Sequence, residues 1–202
     1  MPSDTEIGNL ALSHIGVSTE IQNLETDQSE EASALRRFYT PALEELERDF
    51  AWPFTTVLGA ALGLVAEDPN DEWAYSYRYP SDCKMFRKIL SGTRNDTRQS
   101  RVPYRIGRDT TGLLIFADKE DAECEYAIYE DDPQRFPPDF VMAFSLLLAA
   151  YIAPRLTAGD PFKLGERAYK LYLMSKPKAQ GNALNEEQPE EEPSSEFIRA
   201  RE

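Results

Sequence analysis

The sequence predicts an α+β protein, a helical bundle assembled from both chain ends with a small antiparallel β module inserted between them and an extended C-terminal tail. Three observations carry that prediction. Apolar residues recur at steps of three and four before residue 52 and again after residue 136. Between them, short segments alternate at period two and are divided by Gly, Asp, Asn and Pro. Beyond residue 184 the composition turns to Glu, Pro and Ser. The expected boundaries are 1–52 and 136–184 for the two halves of the helical body, 53–135 for the β module and 185–202 for the tail.

Taken in order, Ser3 with Glu6 matches a capping box, followed by Ile7, Leu10, Ala11 and His14 at helical spacing until Gly16. After a loop, Asp27 and Ser29 offer N-caps for a second helix reaching Phe50, with Ala32, Leu35, Ala42 and Leu46 on its stripe. Pro41 sits inside it, and Glu44, Glu45 and Glu47 read as a solvated face. Trp52 to Phe54 close the helix. Thr55 to Val65 favours strand, and Asp68, Pro69, Asn70 and Asp71 form a turn cluster. Trp73, Tyr75, Tyr77 and Tyr79 then alternate with smaller or polar residues, a strand with an aromatic face. Met85–Leu90, Arg101–Ile106, Gly112–Phe116 and Glu123–Tyr129 are four further strands of an antiparallel module. Asp139 opens an apolar helix expected to stop near Pro154. A last helix is expected to take Asp160 as N-cap and Pro161 at its first position, to carry Leu164, Ala168, Leu171 and Tyr172 on one stripe, and to break or bend at Pro177. Residues 185–196 hold six Glu and no aromatic or β-branched residue, too little apolar surface to offset chain entropy.

Composition narrows the function. Of 202 residues, 36 are acidic and 22 basic, a formal charge of −14, which argues against a protein that grips nucleic acid over its whole surface. Cys83 and Cys124 form no C-x-x-C pair and His14 is the single imidazole, so a one-chain zinc site on Cys and His is excluded, and the thiols read as plain buried residues. The apolar run from Phe140 to Ala153 is 14 residues, short of the ~20 of a bilayer span, and reads as a core helix rather than a membrane anchor. No basic segment precedes an apolar stretch near Met1, so the protein is expected to be made as a soluble cytoplasmic chain.

The sequence carries no Walker loop, dinucleotide G-x-G-x-x-G, G-x-S-x-G elbow or H-E-x-x-H. The catalytic design its inventory still permits is a carboxylate pair, as in glycan hydrolysis, with Glu123 and Glu125 on one strand face as the example. A solvated β face is the plainer reading of that pair, and a structural histidine that of His14. No cofactor is expected. The sharper anomaly is electrostatic. Residues 84–108 hold Lys84, Arg87, Lys88, Arg94, Arg98, Arg101, Arg105 and Arg108 against Asp96 alone, eight charges against one, or +7. The stretch from Ser91 to Arg101 reads as a loop suited to an acidic protein partner, a neighbouring copy included, or to phosphate; a merely soluble hairpin is the alternative. The chain ends with Phe197, Ile198, Arg199, Ala200, Arg201 and Glu202, two apolar and two basic residues beyond an acidic spacer, the look of a docking peptide.

The ordered series of these features resembles the tail tubular protein A family, the head-to-tail adaptors of short-tailed, podovirus-like phages. The resemblance rests on Asn9 to Leu12 with Ile15 and Gly16; on Glu31 and Ala32 through Arg36, Phe38, Tyr39, Ala42 and Leu46 to Trp52, Pro53 and Phe54; and on Tyr77 to Cys83, which looks like a Y-x-x-P-x-D-C strand and turn. Gly112 to Asp118, Tyr126, Phe136 and the helix through Ala149, Ala150 and Ala153 complete the order. The resemblance implies a structural virion protein of the tail or neck, a homododecameric ring between the portal protein and a nozzle like tail tubular protein B, through which DNA passes during ejection without sequence-specific binding. It implies portal binding by Phe197, Ile198, Arg199 and Arg201, and a subunit or nozzle interface at Arg94, Arg98 and Arg101. The alternatives are a virion-associated peptidoglycan hydrolase and a siphophage-type connector or completion protein.

Overall fold

The computed structural model describes residues 2–93 and 101–186. Four helices and seven strands follow in the order α1 (Asp4–His14), α2 (Glu30–Asp49), β1 (Thr56–Ala61), β2 (Leu64–Asn70), β3 (Trp73–Arg78), β4 (Cys83–Ile89), β5 (Tyr104–Arg108), β6 (Leu113–Ala117), β7 (Glu123–Ile128), α3 (Pro138–Leu156) and α4 (Leu164–Glu186). The chain is thus α+β, with strands lying between two helical ends.

The helix signals act locally. Ser3 and Glu6 form the reciprocal capping box, and Ser29 caps α2 by accepting from the Ala32 N–H at 3.2 Å. Asp27 instead accepts from the Ser29 N–H at 2.8 Å, which shapes the turn before the cap. Pro41 lies within α2, which runs on past it. α3 is buried nearly all round, as a helix packed on several sides must be, and contacts α1, α2 and α4. It is long and apolar enough to cross a bilayer, yet most of it is buried inside the helical body.

Several expectations need correction. α3 continues through Pro154 to Leu156, where the Thr157 N–H and hydroxyl both bond the Ala153 carbonyl. α4 begins at Leu164 rather than at Pro161; Asp160 still caps it, its carboxylate accepting from the Leu164 and Gly165 N–H groups, but Asp160 and Lys163 take positive φ and the chain between them is a turn. Gly165 is required there, because a Cβ would stand 3.0 Å from that of Ala153 and 3.1 Å from the Ala150 carbonyl. Pro177 neither breaks nor ends α4, which runs to Glu186 and so takes in residues 185 and 186. The N–H that Pro177 lacks would have bonded the carbonyl of Leu173, whose side chain is exposed, so water can serve that group. Leu171 faces solvent instead of joining Ala168 and Tyr172 in the core. The cluster Asp68 to Asp71 does not form one turn: β2 extends through Asn70, irregular between Glu67 and Asn70, with Asp68 at φ 45°.

The β module is two antiparallel sheets, ordered β1-β7-β4 and β2-β3-β6-β5. Their inward faces share a core of Leu62, Tyr77, Phe86, Ile89, Ile115, Cys124 and Tyr126, while the helical body has its own larger core. The chain leaves and re-enters that body through one aromatic knot. Phe50, Trp52 and Phe54 come from the outgoing segment, and Phe136, Phe140 and Phe144 from the returning one. Trp52 and Phe54 each stand 4.9 Å from Phe140, edge to face. The Trp52 indole donates to the Leu46 carbonyl at 2.9 Å. That knot lets the β module be inserted without opening the bundle.

Candidate functional site

Of the residues expected at interfaces, Arg94, Arg98, Phe197, Ile198, Arg199 and Arg201 lie outside the described residues. Arg101 is exposed and precedes Val102, whose bridge to Ile89 brings the chain alongside β4 before β5 begins. The remaining basic residues of the segment are partly answered within the fold. Lys84 reaches Glu44 of α2 at 3.7 Å and lies over the Tyr129 ring. Lys88 and Arg87 hold Glu125 at 3.1 and 3.9 Å, and Arg105 meets Glu72 at 3.5 Å. The segment is therefore less of an open positive patch than its composition suggests.

The reading of α2 as carrying a solvated acidic face fails at Glu47, which is only 6% exposed. It sits where α2 meets the end of β7, beside a cleft of about 220 Å³ lined by Glu44, Arg48, Lys84, Met85, Ile128 and Tyr129 among others. Its carboxyl accepts from the Glu130 N–H at 3.3 Å. Glu130, also buried, bonds Arg135 at 2.7 Å and accepts from the Asp132 N–H at 3.1 Å. Burial, reinforced by the charge of Glu130, pushes the Glu47 carboxyl up to about 8, so it keeps its proton at neutral pH. A signal was present in the sequence: Glu47 lies one turn beyond Leu43, which is wholly buried, and so falls on the apolar side of α2. Glu45 behaves otherwise, accepting from the Tyr151 hydroxyl at the surface.

The carboxylate pair on β7 divides. Glu123 is exposed, whereas Glu125 is held by Lys88 and Arg87. His14 lies against α3, its Nε2 3.2 Å from the Ser145 Oγ. That hydroxyl also donates to the Met142 carbonyl, and burial lowers the imidazole's pKa. Both cysteines are free; Cys124 is buried, which pushes its thiol up to about 11, and Cys83 is half-buried. No group of three or more His, Cys, Asp or Glu that could hold a metal occurs among the described residues.

What the surface does offer is apolar. On α4, Tyr169, Leu173 and Leu184 fall on one stripe and are all exposed; Met174 of the same helix and Phe162 in the turn before it are 75% and 82% exposed. On the β module, Leu58 of β1 and Leu64 and Val65 of β2 are exposed. Sequence reasoning passed over these surfaces because the signal for them is context: Leu and Val at strand or helix spacing read as core until a structure shows what covers them. The chain matches no protein-family model, and no curated protein is significantly similar to it.

Proposed function

We propose that this chain is a structural, non-catalytic head-to-tail adaptor of a tailed phage, one subunit of a ring seated between the portal and the tail nozzle, with DNA passing through the channel. The observation that carries the reading is the exposure of large apolar side chains on both parts of the molecule, the α4 stripe on the helical body and the β1–β2 segment on the β module. Soluble monomers seldom leave such surface uncovered at two separated places, and a part held between two other rings needs both. The net charge of −14 suits the same role, because an acidic channel wall repels phosphate and lets a duplex slide. The tail, with Phe197, Ile198, Arg199 and Arg201 beyond an acidic spacer, is assigned to the portal, and the virion neck is the place of action.

The test is cryo-electron microscopy of the protein mixed with portal rings, with sedimentation of the protein alone as control. A ring of this chain seated on the portal is the expected result. Removing residues 187–202, which leaves α4 whole, should weaken portal binding without unfolding the protein. A chain that stays apart from portal rings under all conditions overturns the adaptor reading.

A further inference from the structure

The second sheet is ordered β2-β3-β6-β5, so among the described residues β2 and β5 are its two outer strands, about 14 Å apart across three strand spacings. Their charges are opposite. Residues 64–72, β2 and the turn after it, contain Glu67, Asp68, Asp71 and Glu72 and no Lys or Arg. Residues 101–108, β5 and its lead-in, contain Arg101, Arg105 and Arg108 and no acid. Both edges also show apolar side chains to solvent, Leu64 and Val65 on β2, Ile106 on β5. Natural edge strands are guarded with inward charges, lysines, proline or bulges that discourage pairing, and β2 carries two of these, Pro69 and breaks in register between Leu64 and Ala66 and between Glu67 and Asn70; each edge nonetheless bears one sign and exposed aliphatic groups, a pattern that repels its own kind and attracts the other.

We propose that the β5 edge of one copy docks against the β2 edge of the next, a head-to-tail contact between copies of this chain. The contact joins two different surfaces, so every copy added leaves one acidic and one basic edge open, and it generates a ring where the rotation closes. Backbone pairing along β2 is limited by Pro69, which has no N–H, and by its irregular register, so the contact is carried by side chains, Arg105 and Arg108 meeting Glu67 and Asp71 and the exposed Ile106 meeting Leu64 and Val65, with backbone bonds only where β2 is regular. Among the described residues Arg105 bonds Glu72, at 3.5 Å with both side chains about 70% exposed, a contact weak enough to exchange for a neighbour's acids. The inference rests on the ring reading above and names the surface that would close the ring.

The experiment is sedimentation velocity on the full chain at about 20 mM and about 500 mM salt, a range over which exposed charge contacts pass from weakly to strongly screened. Three forms are compared: the native chain, R105E/R108E, and E67K/D71K. All four positions lie at the surface, and circular dichroism checks that each variant is folded. The native chain should form a salt-sensitive assembly, and each variant alone should sediment as a monomer, because R105E/R108E leaves the β5 edge with Arg101 against two new acids and E67K/D71K leaves the β2 edge with two Lys against Asp68 and Glu72, so neither keeps the pair of opposite charges. An equimolar mixture of the two variants should regain the assembly, because each supplies the edge the other lacks; a generally damaged protein would not. If the native chain assembles and both variants assemble equally well, the edge contact is wrong and the ring reading stands on another surface. If the variants fail and their mixture does not recover, the contact is not β5 to β2. A native chain that remains monomeric at both salt concentrations, alone and with portal rings, overturns both readings.

Discussion

The helical body and the β module are built to different standards. Of the twelve largest side chains that are fully buried, nine belong to the body, among them Trp52, Phe140, Phe144, Leu12 and Leu35, and three, Tyr77, Ile89 and Ile115, to the module. The body is held by apolar burial around α3. The module depends more on strand pairing and on polar fasteners at its turns. Arg78 grips Asp109 with two bonds of 3.1 and 3.0 Å, Asp109 accepts from the Thr111 and Gly112 N–H groups, and the Tyr126 hydroxyl donates to Asp82 at 3.1 Å. The Arg78 guanidinium holds the Asp109 carboxyl well below the usual carboxylate range. The difference teaches that stability is concentrated in one region, which frees the other to spend its surface on edges and exposed aliphatic groups.

The strongest way to break that comparison is to attack the aromatic knot and the module core separately. Trp52→Ala removes a side chain 1% exposed that packs on Phe50, Phe54 and Phe140, and should lower global stability by about 3–5 kcal/mol in chemical denaturation. Ile115→Ala leaves a cavity between the sheets at a cost of about 2–5 kcal/mol, but its effect should be local. Hydrogen exchange would then quicken in β3, β6 and β7 while the amides of α3 keep their protection. Equal loss of protection in α3 would make body and module a single cooperative unit.

The same division explains what the sequence could tell. α1, α2 and α3 are readable because capping residues and apolar stripes act within a few turns of chain, and five strands are readable from their alternation; Thr55–Val65, expected as one strand, is two, β1 and β2, which part at Leu62 and Gly63 into different sheets, and β2 runs on to Asn70 through the expected turn. The pairing order is not: β7 lies between β1 and β4, and β6 pairs with β3 as well as with its hairpin neighbour β5, and the β1–β7, β4–β7 and β3–β6 partnerships join strands far apart in sequence that no local pattern encodes. Pro177 misled for a related reason. Its cost is local, but Ala179 and Ala183 beyond it are buried in the body core, and Lys176 beside it binds Asp49, contacts that carry the helix through. Of the candidate site, the charges of the basic segment were legible and their partners were not, because Glu44, Glu72 and Glu125 approach from other elements. The burial of Glu47 depended likewise on where β7 ends.

Glu47 gives a sharper probe of the joint between the two regions. Its folded pKa, about 8, stands above its ordinary value of 4.5, so the folded state binds this proton more tightly than the unfolded state does. The stabilising effect of that proton is complete below about pH 4.5 and is lost as the pH rises towards 8. At about 1.4 kcal/mol per unit, the loss over that window is a few kcal/mol at most. Glu47→Gln keeps an acceptor for the Glu130 N–H and cannot ionise. The stability of the variant relative to the native chain should therefore climb between pH 5 and pH 8 and level off above. A difference that stays flat across that range would mean that Glu47 is charged where it sits, and that the joint admits water.

The smallest effect is expected where the joint is most visible at the surface. Lys84 of β4 bridges to Glu44 of α2 at 3.7 Å, but both side chains are more than half exposed and its nitrogen is 5.7 Å from the Tyr129 ring centre. Exposed pairs of this kind contribute about 0–1 kcal/mol, because water screens the attraction and two long side chains must be held still. Lys84→Gln should thus shift the denaturation midpoint only slightly, and the shift should shrink further as salt is added. A loss above about 2 kcal/mol would exceed what an exposed pair supplies. It would place the hold between body and module in surface charge, and take from Trp52 and Phe140 the anchoring role that their burial assigns them.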